Sequence, residues 1–259
     1  MPMKYSVGIC KFAWLIALFS VLTWTEAAFA ACNIVTNGLV GCYSFESDFK
    51  DGSLNGNNGN SAGGVTFTKG KVGQAAKLNG GAAGYIRIPN PAQKFDREYT
   101  ISAWVSTAGR GQSILSKYSW NNTSGLGFNA WFSTPGATDV FGFSGSTVFA
   151  LTYLNSANHA STNPNYTLPV NEFKYVTITY SVGKTKVYID GKLTVEGSMQ
   201  HTVSLDNPYD MLIGNYFYNY GTIPISNPHG RTFDGLIDEL RVYNRAITDA
   251  EITRPLAKV

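Results

Sequence analysis

The chain has 259 residues, 44 % of them hydrophobic and only 14 % charged, with a formal net charge of +3. No run of Lys and Arg stands out, which argues against a nucleic-acid partner, since phosphate binding needs clustered cations. Its 27 Gly, 15 Tyr and 15 Phe suit many short strands joined by turns, so composition points to an all-β protein.

The first 30 residues read as an export signal. Lys4 and Lys11 give a positive n-region, and Ala28-Phe29-Ala30 has the small-x-small form of a cleavage site. The apolar run between them, residues 12–24, is shorter than the ~20 residues that span a bilayer. Cleavage after Ala30 leaves residues 31–259, the size of a single all-β domain, and lowers the formal charge to +2 through loss of Lys4, Lys11 and Glu26. It also removes Cys10, leaving Cys32 and Cys42. In an exported chain such a pair reads as a disulfide. The alternative, a lipid on Cys32, stays open, although Phe29-Ala30-Ala31 resembles a lipobox poorly.

Residues 39–45 (LVGCYSF) form a first predicted strand, with Leu39, Tyr43 and Phe45 in phase. Residues 46–64 then carry Glu46, Asp48 and Asp51 among Asn and Gly, a loop composition rich in oxygen ligands. Strand signals recur at 64–69, 76–78, 85–88, 99–105, 113–117, 127–132, 140–143 and 149–153. After a polar connection over 155–171 come 173–180, 186–190, 193–195 and 211–213. Asp190-Gly191 is a hairpin signal, because a two-residue type I′ turn needs positive φ at both positions. Trp104 and Trp131 fall inside strands and read as core.

The closing stretch 233–252 reads as a strand, a turn and a short helix opened by a capping box at Thr248 and Glu251. Period two puts Asp238 in phase with Leu236, Leu240 and Val242. A carboxylate on that face is costly unless paired, hydrogen-bonded or bound to a metal. About a dozen short strands and one short C-terminal helix predict a two-sheet antiparallel β-sandwich or jelly roll. The first and last strands should pair, bringing Asp238 towards the acidic loop.

The segments GLVGCYSFESDFKDGSLNGNNGN, KVGQAAKLNG, YTISAWV, QSILSK, FKYVTITY, KVYIDGKL and FDGLIDELRVYNRAITDAEI together resemble the laminin-G-like, concanavalin A-type jelly-roll domains over residues 39–252. The resemblance implies a secreted or cell-surface domain binding carbohydrate or protein. It also implies a structural Ca²⁺ held between the loop after the first strand and the last-strand Asp, with Asp51, Asn55, Asn57 and Asp238 as ligands. Glu46 stands where the family usually has Asp, and Phe173 where it often has Trp. Backbone amides around Asp238, with no ion, are the alternative.

Concanavalin-type sandwiches include glycoside hydrolases, but retaining hydrolysis needs two carboxylates ~5–5.5 Å apart. Asp238 and Glu239 are adjacent and should point to opposite faces. His159, His201 and His229 lack zinc spacing, and no G-x-S-x-G occurs. The expectation is therefore a non-catalytic module, with a polysaccharide-active enzyme of dispersed residues or a purely adhesive domain as the alternatives. Two stretches mix aromatics with amides, residues 118–122 and 215–220. From them Trp120, Asn121, Asn215, Tyr216, Tyr218 and Tyr220 are candidate ligand contacts, against the reading that they merely pack at a sheet rim.

Overall fold

The computed structural model describes residues 32–61, 63–81, 84–108, 112–120, 127–132, 148–155, 158–161, 168–198, 204–218, 223–224 and 232–258. The export signal at 1–30 and the predicted strand at 140–143 lie outside these residues. In chain order the strands begin with β1 (Leu39–Tyr43), β2 (Asn60–Ser61), β3 (Thr66–Lys69), β4 (Gln74–Asn79), β5 (Ile86–Ile88) and β6 (Glu98–Thr107). There follow β7 (Gln112–Trp120), β8 (Gly127–Phe132), β9 (Val148–Asn155), β10 (Asn158–Ser161), β11 (Lys174–Ser181) and β12 (Lys184–Ile189). The last are β13 (Lys192–Ser198), β14 (Met211–Ile213), β15 (Phe217–Tyr218), β16 (Ile223–Pro224) and β17 (Asp234–Tyr243), before helix α1 (Asp249–Thr253).

These strands form the expected two-layer sandwich. The first sheet runs β13-β12-β11-β6-β17-β4-β3, with β1 paired to β17. The second runs β10-β9-β8-β7-β14-β5-β2, with β15 and β16 at the end of β7. Alternation fills the space between the layers: Tyr99, Ile101, Ala103 and Val105 of β6 and Val176, Ile178 and Tyr180 of β11 meet Ile86, Leu115, Phe128 and Met211 of the second sheet. Asp190 and Gly191 both have positive φ, as a type I′ turn demands. Thr248 and Glu251 form the reciprocal capping box of α1.

The first sheet is buried on its outer face as well. Tyr188 and Tyr243 point away from the main core, and pack with Leu39, Cys42, Cys32, Val35, Ile247 and Ile252 in a second cluster. Both ends of the described fold therefore lie over one sheet, and the Cys32–Cys42 disulfide ties the first segment to β1. That bond occupies the Cys32 sulfur and excludes a lipid on it. Trp104 belongs to this outer face too, against the Tyr175 ring at 5.2 Å and beneath the Lys71 ammonium at 4.8 Å. It is core-like in burial but lies outside the space between the sheets.

One irregularity changes the reading of β17. Asp238 pairs with Trp104 and Arg241 with Ser102, so Glu239 and Leu240 together oppose Ala103. This is a β-bulge, and Glu239 takes φ 52° to make it. The extra residue reverses the phase: Ile237, Leu240 and Val242 face the main core, and Asp238 shares the other face with Leu236 and Arg241. The expected grouping of Asp238 with Leu240 and Val242 is thus corrected. Asp238 is nonetheless fully buried, because something folds over it.

Candidate functional site

The turn between β3 and β4 is what covers Asp238. Gly70 N–H donates to the Gly73 carbonyl at 3.0 Å, closing a tight turn. Its remaining amides point at carboxylates: Val72 N–H donates to Asp238 Oδ2 at 2.8 Å, and Gln74 N–H to Glu46 Oε1 at 3.0 Å. Glycine is required at both turn ends. A Cβ on Gly70 would lie 2.6 Å from Asp238 Oδ2, and one on Gly73, at φ 53°, would overlap the Glu46 carboxylate.

Each carboxylate keeps one oxygen buried and unpaired. Asp238 Oδ1 and Glu46 Oε2 have no hydrogen-bond partner. Burial drives the Asp238 carboxyl up to about 8; the Val72 amide opposes this, Glu239 adds to it, the Lys71 amide opposes it and Glu46 adds to it. Glu46 is also raised by burial, opposed by the Gln74 amide. Among the described residues no cation offsets the burial of either carboxyl, and Glu46 raises Asp238 further, so the two desolvated acceptors call for positive charge. Arg241 does not meet this need, since its buried guanidinium is held by the Glu239 carboxylate at 2.6 Å.

A Ca²⁺ ion fits this donor set, because it takes carboxylate, carbonyl and water oxygens in a flexible shell of 6–8. Glu46 and Asp238 would hold it, and it would supply the charge that the two unpaired oxygens lack. Among the described residues no group of three or more His, Cys, Asp and Glu side chains is positioned to hold a metal, so backbone carbonyls and water would complete the shell. The loop residues expected to join Asp238 are committed elsewhere. Asp51 accepts from Cys42 N–H at 3.0 Å and Ser53 N–H at 2.8 Å through Oδ1, and from Asn57 N–H at 3.0 Å through Oδ2. Asn55 donates to the Leu39 carbonyl at 2.8 Å, and Asn57 to Val40 O at 2.7 Å and Gln93 Oε1 at 2.8 Å. These three brace the loop onto β1. Glu46, at the start of the same loop, is the acidic residue that meets the β3–β4 turn.

A second polar constellation lies on the outer face of the second sheet. Ser116 on β7 is the register partner of Asn129 on β8 and of Leu212 on β14. The Ser116 hydroxyl donates to the Asn215 carbonyl at 2.8 Å, and the Ser113 hydroxyl to Asn129 Oδ1 at 2.6 Å. Asn215 Oδ1 accepts from Tyr216 N–H at 2.8 Å. With both side-chain carbonyls fixed, the amide nitrogens of Asn129 and Asn215 are buried and without a partner. Each such group costs roughly 1–3 kcal/mol.

The candidate contacts from the sequence converge here in part. Strand β15 runs parallel to β7, with Phe217 opposite Ser119 and Tyr218 opposite Trp120. The two aromatic-amide stretches, about a hundred residues apart in sequence, thus become neighbouring strands. Asn215 is fully buried at their junction, and Tyr216 is 1 % exposed, which makes it a packing residue rather than a surface platform. Asn121 and Tyr220 lie outside the described residues, as do the side chains of Trp120, Tyr218 and Trp131. Lys117 and Asn129 drew no attention in the sequence. Lys117 is fully buried, and its ammonium donates to Asn90 Oδ1, Asn207 O and Tyr209 O at 2.7, 2.7 and 2.8 Å. Burial pushes that ammonium down to about 8, against the pull of Asp206 and Asp210.

The profile of the concanavalin A-like lectin/glucanases superfamily matches residues 79–253. The fold is similar to domain 4 of an extracellular arabinanase from Geobacillus stearothermophilus, solved in complex with arabinotriose. That match has a TM-score of 0.56 and 24 % identity, covering 84 % of this chain and 97 % of that one. It is also similar to the binding domain of botulinum neurotoxin D/C in complex with SialylT (TM-score 0.61, 15 % identity), over 86 % of this chain and 52 % of that one. The binding domain of Paraclostridial Mosquitocidal Protein 1 matches at TM-score 0.55 and 18 % identity, over 84 % of this chain and 51 % of that one. Among curated proteins, none matches the chain.

Proposed function

The chain belongs to the concanavalin A-like lectin/glucanase superfamily, and from that membership we propose that it is an exported, non-catalytic module that binds glycan at the β7–β15 end of its second sheet. The observation that carries this reading is the register of β15 on β7, which sets Tyr218 beside Trp120 with Asn215 next to them. Trp and Tyr are the residue types whose ring faces suit the apolar faces of sugars, and amides suit the hydroxyl edges. The arabinotriose and SialylT complexes of the similar domains support carbohydrate as a ligand class. Export is supported by the Cys32–Cys42 disulfide, a bond that persists in oxidising compartments. Among the described residues no helix is long and apolar enough to cross a membrane.

Calcium has a structural role in this reading. Held by Glu46 and Asp238, it would lock the β3–β4 turn, the loop after β1 and the last strand together, on the face opposite the glycan. The test of binding is a glycan panel read by calorimetry, followed by Trp120→Ala and Tyr218→Ala. Each substitution should weaken a saturable interaction at least tenfold, with product assays on the bound polysaccharide staying blank. Release of reducing ends or unsaturated sugar would replace the module with an enzyme. Binding unchanged in both variants would move the site elsewhere.

A further inference from the structure

Two strands share one margin of the first sheet, and the chain treats them differently. β1 and β4 both pair with β17, and β3 lies beyond β4 as the last strand of the path. The free edge of β1 is closed by the loop that follows it. Cys42 N–H donates to Asp51 Oδ1, Cys42 O accepts from Gly52 N–H, and the Leu39 and Val40 carbonyls accept from Asn55 and Asn57. β3 has no such cover. Thr66 lies opposite Lys77 and Lys69 opposite Gln74, and the Gly70–Gly73 hydrogen bond sets the phase of the ladder. Hydrogen-bonded pairs alternate in an antiparallel ladder, so Thr66 and Thr68 bond to β4 while Phe67 and Lys69 turn their N–H and C=O outward. Among the described residues nothing pairs with these outward groups. The Phe67 ring packs against Phe49 at 5.0 Å and holds the strand in place.

We propose that β3 is a docking edge for an extended acidic segment of a partner protein, which adds to the first sheet as a further strand. Charge selects the partner. No Asp or Glu occurs between Asp51 and Asp96, a stretch that carries Lys69, Lys71, Lys77, Arg87 and Lys94. Arg87 and Lys94 are paired with Asp210 and Asp206. Lys69, Lys71 and Lys77 are exposed and in no ion pair among the described residues. All three belong to one hairpin: Lys69 on the edge strand, Lys71 in the turn, and Lys77 on β4 opposite Thr66. Main-chain bonds to Phe67 and Lys69 supply affinity for any extended segment, and the lysines favour one that carries carboxylates. A second copy of this chain is the wrong occupant, because β3 against β3 brings the same lysines together.

The experiment follows the fluorescence anisotropy of a short labelled peptide alternating Glu with Val. Beside it run its Lys-for-Glu counterpart and a form of the same charge N-methylated at every amide, which cannot donate to a ladder. Lys69→Pro removes an outward donor and keeps the bonds of Thr66 and Thr68 to β4. Lys77→Glu reverses a charge and leaves every backbone group of β3 in place. Folding of both variants is checked by cooperative melting. The expected result is saturable binding of the Glu peptide, at least tenfold weaker for the Lys and N-methylated forms. Binding should fall at least tenfold in Lys69→Pro and at least threefold in Lys77→Glu. Equal binding of the N-methylated form, or displacement of the Glu peptide by oligogalacturonate, reduces the hairpin to a general anion patch and overturns the inference. Self-association of the protein alone, abolished by Lys69→Pro, seats a second copy on β3 and overturns it too. No binding to the folded wild type leaves the lysines as guards that keep the edge unpaired. Each of these outcomes leaves the glycan reading, which concerns the second sheet, untouched.

Discussion

Replacing Asp238 by Asn separates the charge of the carboxylate clamp from its shape. In the folded protein the carboxyl titrates at about 8 instead of 3.8, a shift of roughly four units. At ~1.36 kcal/mol per unit that sets a ceiling of about 5 kcal/mol on the cost of ionising it in place. Local relaxation and water entry reduce such penalties, so an effect of about 2–4 kcal/mol is expected at pH 8 without divalent cations. Asparagine keeps an oxygen for the Val72 amide and carries no charge, so the variant should melt roughly 5–10 °C above the wild type in EDTA. The folded pKa lies above the unfolded one, so this part of wild-type stability is full below about pH 4. It is lost as the pH rises through 8, and the variant should lack that slope. Calcium reverses the order: it should raise the wild-type melting temperature by an amount that grows with concentration over Kd, and leave the variant unmoved. Differential scanning fluorimetry across pH, in EDTA and in Ca²⁺, reads all three effects. A variant less stable than wild type in EDTA at pH 8, with its calcium response intact, would refute the reasoning.

Two further substitutions probe the scaffold. Cys32→Ser with Cys42→Ser opens a ten-residue separation that is buried in the second cluster. The chain-entropy model puts the loss at about 2.7 kcal/mol, readable as a lower urea midpoint at unchanged slope. Lys117→Met removes the donor to Asn90, Asn207 and Tyr209 and leaves their oxygens buried. A loss of about 3–5 kcal/mol is expected in chemical denaturation, and a loss under 1 kcal/mol would show that these oxygens find water instead.

The parts of this molecule legible in its sequence are those governed by local rules. Period-two alternation located β1, β6 and β11, positive-φ chemistry located the Asp190-Gly191 turn, and the Thr248–Glu251 box located α1. Pairing of β1 with β17 followed from sandwich topology. The bulge at Glu239 was not legible, because a single extra residue leaves no signature in composition yet inverts the phase of everything before it. That inversion is why Asp238 was assigned to the wrong face while its burial was anticipated. The resemblance implied Asp51 as the loop ligand, and only folding shows that Glu46, an acidic residue of the same loop, faces the β3–β4 turn. Residues 155–171 read as connection, yet they contain β10, whose four polar and small residues (NHAS) carry no apolar pattern. The β7–β15 pairing is parallel and non-local, the kind of contact that no window of sequence encodes.

The second cluster has a consequence for how the molecule can be mounted. Residues 32–35 and 247–252 both sit on the outer face of the first sheet, and the face proposed for glycan belongs to the second. Stacked sheets are ~10 Å apart, so the full thickness of the sandwich separates these two segments from the proposed binding face. A neighbour joined through either end, whether another domain, a fibre or an immobilising support, would sit behind the sheet that is already sealed. The reading head would then face outward, and its orientation would be set by the scaffold rather than by the length of any linker.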